Sequence, residues 1–189
     1  MCMEERLQGN PVSEGIAYAK SYIYIPGTLT KAPDFFPKGQ EEEKYREFRE
    51  SCEKADSELV TLYNGMCKED PDKAKIFSAH RELLQDEEIL DEIRETICEE
   101  NMNPDSAVSK VYTEFAELLA GVEDPLIAER AADLRDVRDR LLRILSGQET
   151  SKLSSFSEDV ILVAHDLLPS DTATMDRKHI KGILTEVGG

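Results

Sequence analysis

The chain has 189 residues, room for one ordinary domain or two small ones, and 40 % of them are hydrophobic, enough for a real core. Acidic residues outnumber basic ones 40 to 23, a net charge of −17, which argues against nucleic acid as a partner because phosphates need a basic footprint. No segment approaches the ~20 apolar residues of a membrane span or the apolar core of a signal peptide, and four cysteines scattered at 2, 52, 67 and 98 show no metal spacing, which suits free thiols in a reducing cytoplasm.

Residues 12–25, VSEGIAYAKSYIYI, alternate: Ile16, Tyr18, Tyr22 and Tyr24 share one parity, and Ala17, Ala19, Ile23 and Ile25 the other. Tyrosine and isoleucine at period two, between Gly15 and Pro26–Gly27, predict a strand. From Gln40 the period becomes helical. Tyr45, Phe48, Cys52, Ala55, Leu59, Leu62 and Met66 follow one another at steps of three and four, which predicts a helix of about 40 Å with one apolar seam. A second helix starts near Pro71 and carries Ile76, Phe77, Leu83 and Leu84. It breaks at Gln85–Asp86, where Asp86 caps a new start that carries Ile89, Leu90, Ile93 and Ile97. Asn103–Pro104 opens a third helix that ends at Gly121, and Asp124–Pro125 opens a fourth whose apolar stripe runs from Ile127 to Leu145 and stops at Gly147.

After Gly147 the texture changes back. Val160–Ala164 is a short continuous apolar run, as expected of a strand buried on both faces. PSDTATMD reads as a loop entering a helix capped by Ser170 or Asp171, and GILTEV as a further strand. The closing Gly188–Gly189 pair is of the kind that brings backbone close to a ligand. The expected fold class is therefore α+β or α/β: a bundle of four long helices, the second interrupted, inserted into an α/β unit. Residues 29–147 form the bundle, and residues 1–28 with 148–189 form the α/β unit.

Four stretches in this order carry a resemblance: NPVSEGIAYAK, SAHRELLQDEEIL, ERAADLRDVRDRLL, and VILVAHDLLPSDTATMD followed by KGILTEVGG. Together they span the chain and resemble the N-terminal half of the Enzyme I family, the phosphoenolpyruvate–protein phosphotransferases of the bacterial sugar phosphotransferase system. The resemblance implies transfer of phosphate from phosphoenolpyruvate, through a histidine, to the small carrier HPr. In the family the double glycine leads within a few residues to a Thr-Ser-His motif whose histidine accepts the phosphate. That motif is not in this sequence, so the acceptor is expected just after Gly189. The barrel that binds phosphoenolpyruvate and Mg2+, and through which the full-length protein would dimerise, is expected there too. The chain itself is expected to hold no metal or cofactor, to be inert alone, and to keep the HPr-docking surface. Rival readings are a fragment of another phosphohistidine-domain protein, such as a dihydroxyacetone-kinase phosphotransferase subunit or a dikinase, and a non-catalytic acidic helical adaptor.

Residue by residue, the resemblance places Thr172 beside the active histidine; without it, Thr172 is a hydroxyl in a helix's first turn. His80 matches a histidine that contacts HPr; alone, it is an ordinary surface histidine. Leu83 and Leu119 would form the apolar centre of the docking patch, with Glu82, Asp86, Glu87 and Glu88 on its acidic rim and Arg130 at a matching interface position. Glu82 stands where the resemblance suggests an apolar contact, which alters the surface there. Physically, nine acids against Arg81 and Arg94 between His80 and Glu100 suit a basic partner, or simply a solvated face. His165, next to Asp166, is assigned a structural or surface role because adjacent strand residues point to opposite faces. His179, in DRKHIK, is expected to be solvated. The charges of the fourth helix, among them Asp133, Asp136, Asp139, Arg138, Arg140 and Arg143, are expected to pair on an exposed face.

Overall fold

A computed structural model of the chain describes residues 9–24, 34–147, 153–167 and 169–186. The turn at Pro26–Gly27 and the Gly188–Gly189 pair lie outside the described residues, as does the side chain of Ser170. Strand β1 (Lys20–Tyr24) precedes five helices: α1 (Glu41–Met66), α2 (Pro71–Leu84), α3 (Glu87–Cys98), α4 (Pro104–Ala120) and α5 (Pro125–Leu145). Strand β2 (Val160–Ala164), the short helix α6 (Pro169–Thr174) and strand β3 (Ile180–Thr185) complete the order.

The helix boundaries follow local chemistry. Asp70 accepts hydrogen bonds from the Asp72 and Lys73 amides at the start of α2, and Asp124 accepts from the Leu126 amide at the start of α5. Asp86 accepts from the amides of Glu88 and Ile89 at 3.0 and 3.2 Å, so the expected break between α2 and α3 is a capped restart. Pro71, Pro104 and Pro125 each occupy a first-turn position, where a missing N–H costs nothing. Gly147, at φ +67°, takes the left-handed conformation just past α5. The Asp86→Ala variant is expected to lose about 1 kcal/mol and to lower hydrogen-exchange protection at the Glu88 and Ile89 amides first; unchanged protection there would contradict the capping role.

The bundle is built around α1. Its expected seam is its buried face: Phe48, Cys52, Ala55 and Leu59 are buried, and Tyr45, Leu62 and Met66 pack against the same core. Helix α1 touches α2, α3, α4, α5 and α6, while α4 and α5 form an antiparallel-style hairpin across the short link at Gly121–Asp124. Burial pushes the Cys52 thiol up to about 12, which makes it an inert core group. The segment before α1 clips onto the turn between α3 and α4: the Phe36 amide donates to the Asn101 carbonyl, and the Asn103 amide donates to the Asp34 carbonyl.

The three strands form one parallel sheet in the order β1-β2-β3. The sheet thus joins segments from before and after the bundle. The apolar run Val160–Ala164 is the central strand; Val160, Leu162 and Ala164 are buried and Ile161 and Val163 half-buried. β1 is shorter than the alternation predicts. It begins at Lys20, opposite Val160, because β2 is only five residues long and gives residues before Lys20 nothing to pair with. The chain ahead of β1 instead crosses the sheet. Ala17 lies over Gly182 of β3, where an added Cβ would stand in van der Waals contact, 3.4 Å from the Ala17 methyl.

Candidate functional site

The surface singled out by the sequence lies on α2, α3 and the adjoining ends of α4 and α5. Glu82, Asp86, Glu87, Glu88 and Arg130 are exposed, while Leu83 and Leu119 are half-buried and packed on the core. The two leucines thus show part of their side chains at the surface while being held from behind. Helix α3 turns Ile89, Ile93, Thr96 and Ile97 inward. Its opposite side carries Glu87, Glu88, Asp91, Glu92 and Glu95, all exposed.

The two bases of this stretch are turned away from it. Arg81 forks onto Asp56 of α1, with Nε donating to Oδ1 at 2.7 Å and Nη2 to Oδ2 at 3.1 Å, and Gln85 donates to the same carboxylate. Arg94 lies over the Tyr45 ring of α1, 5.7 Å from its centre. Among the described residues, no cation pairs with Glu82, Glu87, Glu88, Asp91, Glu92 or Glu95 within 4.0 Å. The acidic rim is therefore uncompensated, and the tertiary structure makes it more so than the composition of the segment suggests.

His80 departs from the expected position. Its ring is completely buried between α2 and α5, with Nε2 3.2 Å from Asp133 Oδ1 and Nδ1 3.9 Å from Asp136 Oδ1. The Phe77 ring meets it edge-on at 6.2 Å. A direct surface contact by this imidazole is corrected to an interior role, because α2 turns the same side that carries Ala74, Phe77 and Leu84 into the core. The charges of α5 are corrected likewise. Asp136 and Arg140 are buried, and Arg140 and Arg143 reach across to Glu58 of α1, the first at 2.6 Å. Helix α5 packs on α1, α2 and α4, which leaves Arg130 and Arg135 exposed but draws Asp136 and Arg140 inside.

A second set of polar groups collects at the carboxyl edge of the sheet, where open parallel sheets hold ligands. The Tyr24 hydroxyl, at the end of β1, donates to Asp171 Oδ1 at 3.1 Å. Burial, then the Asp171 carboxylate, raises the Tyr24 phenol above its ordinary value. Thr172 follows Asp171 on α6 and is half-buried. His165, at the end of β2, is exposed and lies 2.8 Å from Glu186 rather than from its chain neighbour Asp166. At the opposite, amino edge of the sheet, just before β3, His179 is half-buried rather than solvated: its Nδ1 is 2.7 Å from Asp176 Oδ2. Asp176 also accepts from the amides of Phe156, Lys178 and His179. The His179 hydrogen bond, followed by those amides, holds the Asp176 carboxyl below its ordinary range. The His165–Glu186 contact follows from β2 and β3 lying side by side, with Ala164 opposite Thr185, whereas Asp176 and His179 are three residues apart in the turn before β3.

Comparison with known proteins gives the following similarities. The family model described as PEP-utilising enzyme, N-terminal matches residues 8–130, and the model described as PEP-utilising enzyme, mobile domain matches residues 156–189. A phosphoenolpyruvate-protein phosphotransferase of Priestia megaterium is 37 % identical over 188 residues, covering 99 % of this chain and 32 % of that protein. One of Staphylococcus aureus (strain MRSA252) is 34 % identical, covering 99 % of this chain and 33 % of that protein. The chain spans about a third of the length of these curated relatives. An NMR solution structure of an Enzyme I protein (nEIt) superposes with a TM-score of 0.75 at 34 % identity, over 90 % of this chain and 69 % of that one. The N-terminal domain of Enzyme 1 – Nitrogen, at 23 % identity and a TM-score of 0.66, shares the fold.

Proposed function

This chain belongs to the PEP-utilising enzyme N-terminal family, and from that membership we propose that its helical part is a docking surface for an HPr-type phosphocarrier. The observation that carries the proposal is the uncompensated acidic rim. Glu82, Glu87 and Glu88 stand exposed beside Leu83 while Arg81 and Arg94 are occupied by α1. A partner with cationic groups around an apolar centre fits such a surface. The rim would speed encounter and disfavour acidic competitors, and Leu83 and Leu119 would supply the desolvated centre from which most binding energy comes. Arg130 and Asp86 stand at its margin.

In this reading the wider protein moves phosphate from phosphoenolpyruvate to a histidine and on to the carrier. Residues 29–147 hold the carrier. Residues 1–28 and 148–189 form the unit that presents Thr172 at the carboxyl edge of the sheet as a hydrogen-bond partner for the reacting imidazole. Among the described residues no group of three or more His, Cys, Asp or Glu side chains is arranged to hold a metal ion. Among the described residues no helix is long and apolar enough to cross a membrane, and we place the protein in the cytoplasm with its carrier.

Titrating purified HPr into the isotope-labelled chain tests the docking function. Resonance shifts should gather on α2, α3 and the α4–α5 turn, and affinity should fall by about tenfold as ionic strength rises from about 0.01 to about 1 M, where the Debye length shrinks from roughly 30 to 3 Å. Unchanged spectra at millimolar HPr would remove the proposal.

A further inference from the structure

Asp133 differs from every other acid on this side of the bundle. It lies on α5 one turn beyond Arg130, and its carboxylate is 24 % exposed. One oxygen, Oδ1, is 3.2 Å from Nε2 of His80, whose ring is fully buried. Among the described residues no lysine or arginine pairs with Asp133. It is therefore a short carboxylate, held from behind by an interior imidazole and open in front.

We propose that Asp133 is the fixed acceptor for a guanidinium or ammonium group of the basic partner, and that His80 is the positioning residue that aims it. The inference rests on the docking function proposed above and assigns to His80 a role acting through Asp133. Physical reasons favour Asp133 over its more conspicuous neighbours. Glu82, Glu87 and Glu88 are exposed and long, so each loses side-chain freedom when it is ordered on binding. Asp86 already spends Oδ1 on two helix amides. Asp133 has only two side-chain torsions, and the His80 contact restricts them before the partner arrives. Three-quarters of its surface is also withdrawn from water, so a cation that reaches it meets a weaker screen than at the rim.

The arrangement also accounts for a polar side chain in a core. His80 sits among Ala74, Phe77 and Leu84, where an apolar residue would fill the space. Among the described residues its Nδ1 has no hydrogen-bond partner, so core packing alone is a poor reason for a histidine there. Nε2, by contrast, reaches a partly exposed carboxylate on the facing helix.

The experiment is HPr binding by the whole chain, measured by calorimetry and by dissociation rate, for wild type, Asp133→Asn, His80→Gln and His80→Leu. Asp133→Asn preserves shape and an oxygen that can accept from His80, and is expected to weaken binding about tenfold, mainly through faster dissociation. Glu114→Gln, on an exposed acid of α4, is the control and should change affinity by less than about twofold. His80→Leu keeps the core filled but removes the support, and should weaken binding as Asp133→Asn does. His80→Gln returns a nitrogen donor near the position of Nε2 and should recover most of the affinity, a rescue that a purely structural histidine would not give. If wild type binds and Asp133→Asn behaves like the control, the role of Asp133 is overturned while the docking function stands. If wild type does not bind, the docking function falls and this inference with it. Asp133→Asn decides the matter even if a His80 variant fails to fold, because its side chain lies at the edge of the core.

Discussion

Phe48→Ala is expected to cost about 3–5 kcal/mol of stability, the largest effect of any single truncation considered for this chain. Phe48 is 0 % exposed and lies on α1, the helix that touches every other helix of the bundle and α6 as well. Its ring stands 6.2 Å from that of Tyr45, and Cys52, Ala55 and Leu59 continue the seam beneath it. Truncation removes the transfer energy of the ring and leaves a cavity whose walls belong to several helices, so no single element can relax to fill it. Domains of this size have about 5–15 kcal/mol in total, so a third or more of the stability is at stake. Urea unfolding followed by circular dichroism should show the midpoint fall by more than about 1 M, at a slope of ~1–3 kcal/mol/M. Phe35→Ala provides the contrast. Phe35 is largely exposed, and its loss should stay within about 0.5 kcal/mol. Equal effects at the two phenylalanines would mean that α1 is not the centre of the core.

The second large effect is electrostatic. Glu58→Ala is expected to cost about 2–3 kcal/mol, near the low end for breaking a buried pair because Glu58 is 28 % exposed. One carboxylate oxygen of Glu58 accepts from both Arg140 and Arg143. Arg140 is only 5 % exposed, and among the described residues its Nε and Nη2 have no hydrogen-bond partner. Among the described residues, Asp136 is the other carboxylate near Arg140, 4.0 Å away. Without Glu58, a guanidinium that cannot shed its proton stays in the interior with that one distant counter-charge. Glu58→Gln retains an acceptor oxygen without the charge and should lose roughly half as much. A Glu58→Ala protein within about 0.5 kcal/mol of wild type would place the pair in the class of surface ion pairs that contribute little.

Much of the bundle could be read in advance. Steps of three and four in α1 marked its buried seam, and Asp86 between two apolar stripes marked a restart. Each of these signals is settled within one or two turns of chain, so each survives in the tertiary structure. The strand at the start was over-read, because alternation in residues 12–19 has no partner strand to use it. The acidic surface of α2 and α3 was legible as a stretch of acids around leucines. His80 was placed on that surface and proves to be inside, and Asp133, which it touches, gave no sign beyond being one of many α5 charges.

The residues alone determined where the helices begin, end and break, which faces are apolar, and that strand-forming segments flank the bundle. Caps, prolines and periodicity act over a few residues, so they hold whatever the rest of the chain does. The tertiary structure alone decided which charges meet water. Arg81 and Arg94 turn to α1, Arg140 sinks against Glu58, and His80 closes against Asp133. Each of these outcomes depends on a neighbour 25 or more residues away in sequence. A charged side chain chooses between solvent and a partner by Coulomb attraction against desolvation, and both are set by distances that exist only once the helices have packed.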